Sequence, residues 1–148
     1  MTSIRELYQE VIIDHGRHPR NVGKLDHVTH QKEGFNPLCG DKVTVYCKLE
    51  GNILCEVKFE GCGCAISMAS ASLMSLAVKG LSLREVQHLF DLFHAALVEE
   101  GVVDREALGK LSVLTGVREY PSRVKCATLV WYTLLAAIRN EATEVSTD

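Results

Sequence analysis

Three short segments of the chain carry residue types that can bind a metal or move sulfur. The first is Asn36-Pro37-Leu38-Cys39-Gly40-Asp41, where a thiol and a carboxylate flank a glycine. Gly40 permits backbone turns that other residues resist, so Cys39 and Asp41 can point at one centre. The second is Gly61-Cys62-Gly63-Cys64-Ala65, between an expected strand end and an expected helix start. The third is Tyr120-Pro121-Ser122-Arg123-Val124-Lys125-Cys126, at the start of another helix. Free N–H groups and the positive dipole end of a helix favour a thiolate, the form that binds metal or attacks sulfur. Arg123 and Lys125 add positive charge near Cys126.

Three thiolates and one carboxylate, from Cys39, Asp41, Cys64 and Cys126, suit a tetrahedral zinc site. With Zn²⁺ such a set keeps two negative charges, which Arg123 or Lys125 can partly offset. Closed structural zinc sites usually use only Cys and His, so the carboxylate suggests easier ligand exchange. A thiolate that leaves the metal can attack a persulfide on a donor and come away carrying sulfur. Thiolates also accept iron and cluster iron, so the residues alone leave the metal open.

Each cysteine also has an ordinary reading. A lone cysteine before a helix is more often a small buried hydrophobe, and Cys64 or Cys126 seen alone would be read so. Cys39 resists that reading because Gly40 and Asp41 make its turn polar. Cys62 is either a spare thiol or an alternative ligand. Cys47 and Cys55 read as buried thiols. The six histidines are scattered along the chain, which favours surface or capping roles over metal binding. The cysteine spacing forms no pair of C-x-x-C motifs, which disfavours a zinc ribbon or finger.

The elements that must position these residues follow from periodicity. Ser3 and Glu6 read as a capping box, followed by Ile4, Leu7, Val11 and Ile12 at helical spacing, with Gly16 and Pro19 ending the helix. Arg20 to Pro37 is polar and reads as a loop holding at most a short strand. Lys42 to Glu60 reads as a hairpin, with Val43, Val45, Cys47 and Leu49 alternating on one strand and Ile53, Cys55, Val57 and Phe59 on the other. A three-residue loop, Glu50-Gly51-Asn52, keeps both apolar sets on one face and sets Cys47 opposite Cys55.

Ala65 to Lys79 reads as a closely packed helix ended by Gly80. Ser82 and Glu85 form a second capping box before a helix carrying Val86, Leu89, Phe90, Phe93 and Leu97, which stops near Gly101. Asp104 caps a short helix with Leu108 and Leu111, and Gly116 to Tyr120 is a connector. Pro121 suits the first turn of a last helix, which buries Val124, Ala127, Trp131, Leu134, Leu135 and Ile138. Residues after Asn140 read as frayed. Helix, strands, then several helices give an α+β architecture, with helices on one face of a small antiparallel sheet.

The chain has 148 residues, 47% of them hydrophobic and 24% charged, which fits one domain over 1–148 with a real core. A net charge of −3 implies no nucleic-acid face. No apolar run is long enough to span a membrane, and the first residues lack a signal-like apolar region. The expectation is a cytoplasmic protein, in which six cysteines are more often ligands, nucleophiles or buried thiols than disulfides.

The three segments together, with Gly63-Cys64-Ala65-Ile66-Ser67-Met68-Ala69-Ser70-Ala71-Ser72 and Ala127-Thr128-Leu129, resemble the SufU/IscU/NifU N-terminal family of iron–sulfur assembly proteins. The resemblance runs from the first helix to about Leu135. It implies an α+β, SufE/NifU-like fold with a surface metal site, and Cys39, Asp41, Cys64 and Cys126 as zinc ligands. It implies Cys39 as the acceptor of persulfide sulfur from a cysteine desulfurase, and Arg123 as a functional arginine. Scaffold-type members carry His immediately before the last cysteine, where this chain has Lys125, an ammonium that cannot ligate zinc. That residue and the extra helical stretch near Leu81 to Gly116 resemble the SufU-like, zinc-dependent sulfurtransferase branch. Scaffold-type members place their middle cysteine at the position of Cys62, SufU-like ones at that of Cys64, and this chain has both. The alternative implied is a non-enzymatic scaffold. Through Cys39, Cys64 and Cys126 it would hold a transient 2Fe–2S cluster or iron, for apo iron–sulfur proteins or downstream assembly factors.

Overall fold

The computed structural model describes residues 4–98, 103–139 and 145–146. Their order is α1 (Ile4–Arg17), β1 (His30–Asn36), β2 (Asp41–Glu50), β3 (Ile53–Cys62), α2 (Ala65–Val78), α3 (Leu83–Val98), α4 (Arg105–Leu108), a 3₁₀ segment (Gly109–Glu119), α5 (Pro121–Arg139) and β4 (Val145–Ser146). The strands form one sheet in the order β3-β2-β1-β4, with β1, β2 and β3 antiparallel. Helices α2 and α5 lie against this sheet, as the α+β reading expects. The first capping box includes Ser3 and lies outside the described residues, as does the stop near Gly101. The second is present: Glu85 N–H donates to Ser82 Oγ at 3.2 Å, and Ser82 N–H to Glu85 Oε1 at 3.0 Å.

The hairpin between β2 and β3 differs from the expected register. Its loop has two residues, Gly51 and Asn52, with Glu50 paired to Ile53. Such a loop alone would turn one apolar set outward. A bulge corrects it. Leu49 pairs with Leu54 but Lys48 pairs with Glu56, so Cys55 has no partner in the ladder. Beyond the bulge, Val57 and Phe59 face the core opposite Cys47 and Val45. Cys47 is buried, and burial pushes its thiol up to about 12. Cys55 is only half-buried and Ile53 is exposed, because the bulge takes both off the buried face.

Strand β1 is longer than the short strand expected. Its sequence is polar because only Gly34 and Asn36 are fully buried. At Gly34, α5 crosses so closely that a Cβ would collide with Thr133 Oγ1 and press on Leu129. Residues after Asn140 are not all frayed, since Val145 and Ser146 pair in parallel with Gly34 and Phe35. The expected connector at 116–120 is instead the end of the 3₁₀ segment, which buries Leu111, Val113, Leu114 and Val117.

Helix α2 carries small residues because it packs closely against both α1 and α5. Ser70 Oγ donates to Ala127 O at 2.5 Å, joining α2 to α5. Trp131 is fully buried, with its ring 5.4 Å from Phe93 and 5.9 Å from Phe90. The outer edge of β3 is covered at both ends. Phe59 bonds the backbone of Asn21 and Gly23, and Leu54 bonds that of Gly80 and Leu81.

His15 holds α1 on α2. It is buried, and its Nδ1 lies 2.7 Å from Ser72 Oγ, which also accepts Arg20 N–H at 2.9 Å. Burial, then the charge of Arg20 and more weakly that of Lys110, hold the imidazole pKa below its ordinary value, against the opposing charge of Asp14. The unfolded chain binds this proton near pH 6.5, so stability falls as pH drops below about 6.5. Urea midpoints measured from pH 7 to 5 should decline in the wild type and decline less in His15→Gln; equal slopes would refute the assignment. Separately, Gly34→Ala should cost about 1–3 kcal/mol by overpacking. Part of that loss should return in the Gly34→Ala/Thr133→Ala double variant, as read by denaturant titration.

Candidate metal centre

The turn between β1 and β2 brings Cys39 and Asp41 to the end of the sheet. Gly40 makes it possible with φ +71°, a left-handed backbone that side chains with a Cβ resist. Its N–H closes the turn on Asn36 O at 2.9 Å. Asp41, the first residue of β2, is fully buried.

Helix α5 supplies the third member. Cys126 is fully buried in its second turn, and its Sγ lies 3.2 Å from Cys39 Sγ. The dipole acts mainly within the first turn, so burial rather than the helix start dominates there. Burial raises the pKa of Cys126, and contacts with Cys39 and Asp41 raise it further. One ligand atom from each of Cys39, Asp41 and Cys126 lies within 4.8 Å of the other two, the one such group among the described residues.

Cys64 is placed beside this group but not in it. It caps α2, with its Sγ accepting Ser67 N–H at 3.4 Å. Its own N–H donates to Asp41 Oδ1 at 2.9 Å. Ser67 Oγ donates to the same oxygen at 3.1 Å. Two donors therefore hold Oδ1, while Oδ2 faces Asn36 Nδ2 at 3.3 Å. A Cβ at residue 63 would overlap Ser67 Oγ and Asp41 Oδ1, so only glycine lets the loop pass over the carboxylate. Cys62 pairs with Lys42 at the end of β3 and is exposed.

Arg123 lies three residues before Cys126, on the same helix face. Its Nη1 approaches Cys39 Sγ at 3.8 Å. Cys126 foremost, then Cys64 and Cys39, favour its charged form. Asn36 and Ser67 were given no site role by the sequence reading. The i, i+3 spacing of Ser67 from Cys64, the spacing of a helix cap, was the available signal for one of them.

The donor set fits a soft divalent cation. Two thiols and a carboxylate crowd together, two of the three residues fully buried, with Arg123 on the exposed rim. Burying such anions without a partner costs several kcal/mol each. A bound cation removes that cost, and the bonds on Asp41 orient its carboxylate as outer-shell partners orient a ligand.

The sequence profile of the NifU-like N-terminal domain matches residues 7–127. The chain is 40% identical over 136 residues, 91% of each chain, to the zinc-dependent sulfurtransferase SufU of Bacillus subtilis. It is 38% identical to the iron–sulfur cluster assembly scaffold protein IscU of Thermotoga maritima, over 90% of this chain and 93% of that one. Among solved structures, an iron–sulfur cluster assembly scaffold protein for the SUF system from Fervidobacterium islandicum superposes with a TM-score of 0.83. It is 34% identical, and the match covers 92% of this chain and 99% of that one. Motifs, architecture and extent of match agree: the chain belongs to the NifU-like N-terminal domain family.

Proposed function

We propose that this protein serves iron–sulfur cluster assembly in the cytoplasm by accepting persulfide sulfur from a cysteine desulfurase on Cys39 and relaying it onward. Zinc is its metal, held by Cys39, Asp41, Cys126 and, from its place at the α2 cap, Cys64. The observation that carries this reading is the exposure gradient across the group. Cys126 and Asp41 are fully buried, whereas Cys39 is half-buried on a turn beside exposed Leu38. Of the two sulfurs in the group, a donor can therefore reach that of Cys39, while Cys64, also half-buried, stands outside the group with its sulfur on Ser67 N–H.

The bound ion would supply charge that keeps the sulfurs as thiolates at neutral pH. The Cys39 thiolate attacks the outer sulfur of the donor persulfide. The new S–S bond forms as the old one breaks, and the donor cysteine leaves as its thiolate. No electrons are gained or lost overall. Arg123, within 3.8 Å of Cys39, stabilises the thiolate before attack and the persulfide anion after it. Cys64 N–H and Ser67 Oγ keep Asp41 in place while Cys39 moves.

The similarity to the Thermotoga scaffold protein favours a second reading, in which the same site assembles a 2Fe–2S cluster for apo-acceptors. The assay separates the two. Purified protein should carry about one zinc per chain, and Asp41→Ala and Cys126→Ser should lose it by elemental analysis. Desulfurase turnover should rise on adding wild-type protein and fail to rise with folded Cys39→Ala. Cys39→Ala that stimulates like wild type sinks the relay reading. A stable chromophore after anaerobic reconstitution, drained by an apo-acceptor, would favour the scaffold.

A further inference from the structure

Asn36 ends β1 and is fully buried. Its amide has two N–H donors and one strong acceptor, and all are used. Its Oδ1 accepts Leu38 N–H at 3.3 Å. Its Nδ2 donates to Asp41 Oδ2 at 3.3 Å and toward Cys126 Sγ at 3.7 Å. The reversed amide would set an oxygen against a carboxylate and a sulfur, so the partners fix the orientation. Its backbone carbonyl also accepts Gly40 N–H at 2.9 Å. One residue thus closes the turn that bears Cys39 and bonds two members of the group.

Its pattern of contacts is selective. Asp41 receives donors from Asn36, Cys64 and Ser67. Cys126 receives Asn36 and is sealed from solvent. Cys39 shares its turn with Asn36, and the polar partners found for its sulfur are Cys126 and the exposed Arg123. Charge-assisted bonds from a buried donor hold an anion more firmly than an exposed, solvated cation does.

We propose that Asn36 is a positioning residue that selects the sulfur free to leave. Within the group of Cys39, Asp41 and Cys126, it fixes Asp41 and Cys126 as permanent ligands and leaves Cys39 as the exchangeable one. This deepens the relay reading and rests on it.

A role in the turn alone would need only the side-chain oxygen. Asn36→Asp and Asn36→Ser both keep an oxygen that can accept Leu38 N–H, and neither presents the two N–H donors. Zinc-loaded wild type and both variants are challenged with a chelator and limiting iodoacetamide. Zinc release is followed by a metallochromic dye, and alkylated cysteines are located by mass spectrometry. In wild type, Cys39 should be labelled before Cys64 and Cys126, with Cys126 protected until zinc departs, while exposed Cys62 reacts whether or not zinc is bound. In both variants, Cys126 labelling should approach that of Cys39, and zinc release should quicken by about 10-fold or more. Folded variants that keep the wild-type labelling order and a release rate within about twofold would overturn the inference.

A measurement on wild type holds even where a variant fails to fold. The Asn36 side-chain NH₂ signals of ¹⁵N-labelled protein should shift on zinc loading and exchange slowly with solvent. Signals that ignore the metal and exchange freely would overturn the proposal. Wild type that binds no zinc would overturn this inference and the relay reading together; intact zinc binding with unaltered variants would overturn this inference alone.

Discussion

The buried carboxylate of Asp41 is the constraint around which the site end of this molecule is built. A carboxylate without solvent must find donors or a cation, and an unpaired one costs several kcal/mol. Its donors come from both sides. Asn36 reaches it from the end of β1, and Cys64 N–H and Ser67 Oγ reach it from the start of α2. The same bonds tie two cysteine-bearing loops to one atom group. Gly63 exists in that arrangement for space, since a larger residue would fill the volume the carboxylate occupies.

The rest of the fold delivers the third loop. Helix α5 lies close on β1 because Gly34 has no side chain, and that approach places Cys126 over the β1–β2 turn. Ser70 joins α2 to α5 through Ala127, the residue after Cys126. The aromatic packing of Trp131 on Phe90 and Phe93 anchors the same helix further along. Burial of apolar surface thus sets the sulfur of Cys126 against that of Cys39, although neither loop specifies the meeting by itself.

Much of this was legible in the residues. Alternation marked β2 and β3, small apolar residues marked α2, and Pro121 marked the start of α5. The group Cys39, Asp41 and Cys126 was named from motif chemistry and is brought together. What escaped had weak local signals. Strand β1 has Gly34 and Asn36 at its buried positions, so no hydrophobic alternation betrays it. The bulge at Cys55 was invisible because a longer loop satisfies the same face rule. Cys64 was placed at the start of a helix, yet whether its sulfur turns to the metal group or to Ser67 N–H depends on a rotamer that spacing does not encode. The contacts of Asn36 with Asp41 and Cys126 span 5 and 90 residues, so no periodic pattern announces them.

The covered flank of β3 has a consequence for how other proteins can engage this one. A bare strand edge invites a foreign strand to extend the sheet, in specific recognition or in aggregation. Here the backbone near Asn21 to Gly23 occupies one end of that flank, and Gly80 with Leu81 occupies the other. The few residues between include the unpaired Cys55, whose irregular backbone spoils a straight template. Association by strand addition is blocked on this side, leaving side-chain surfaces as the means of contact.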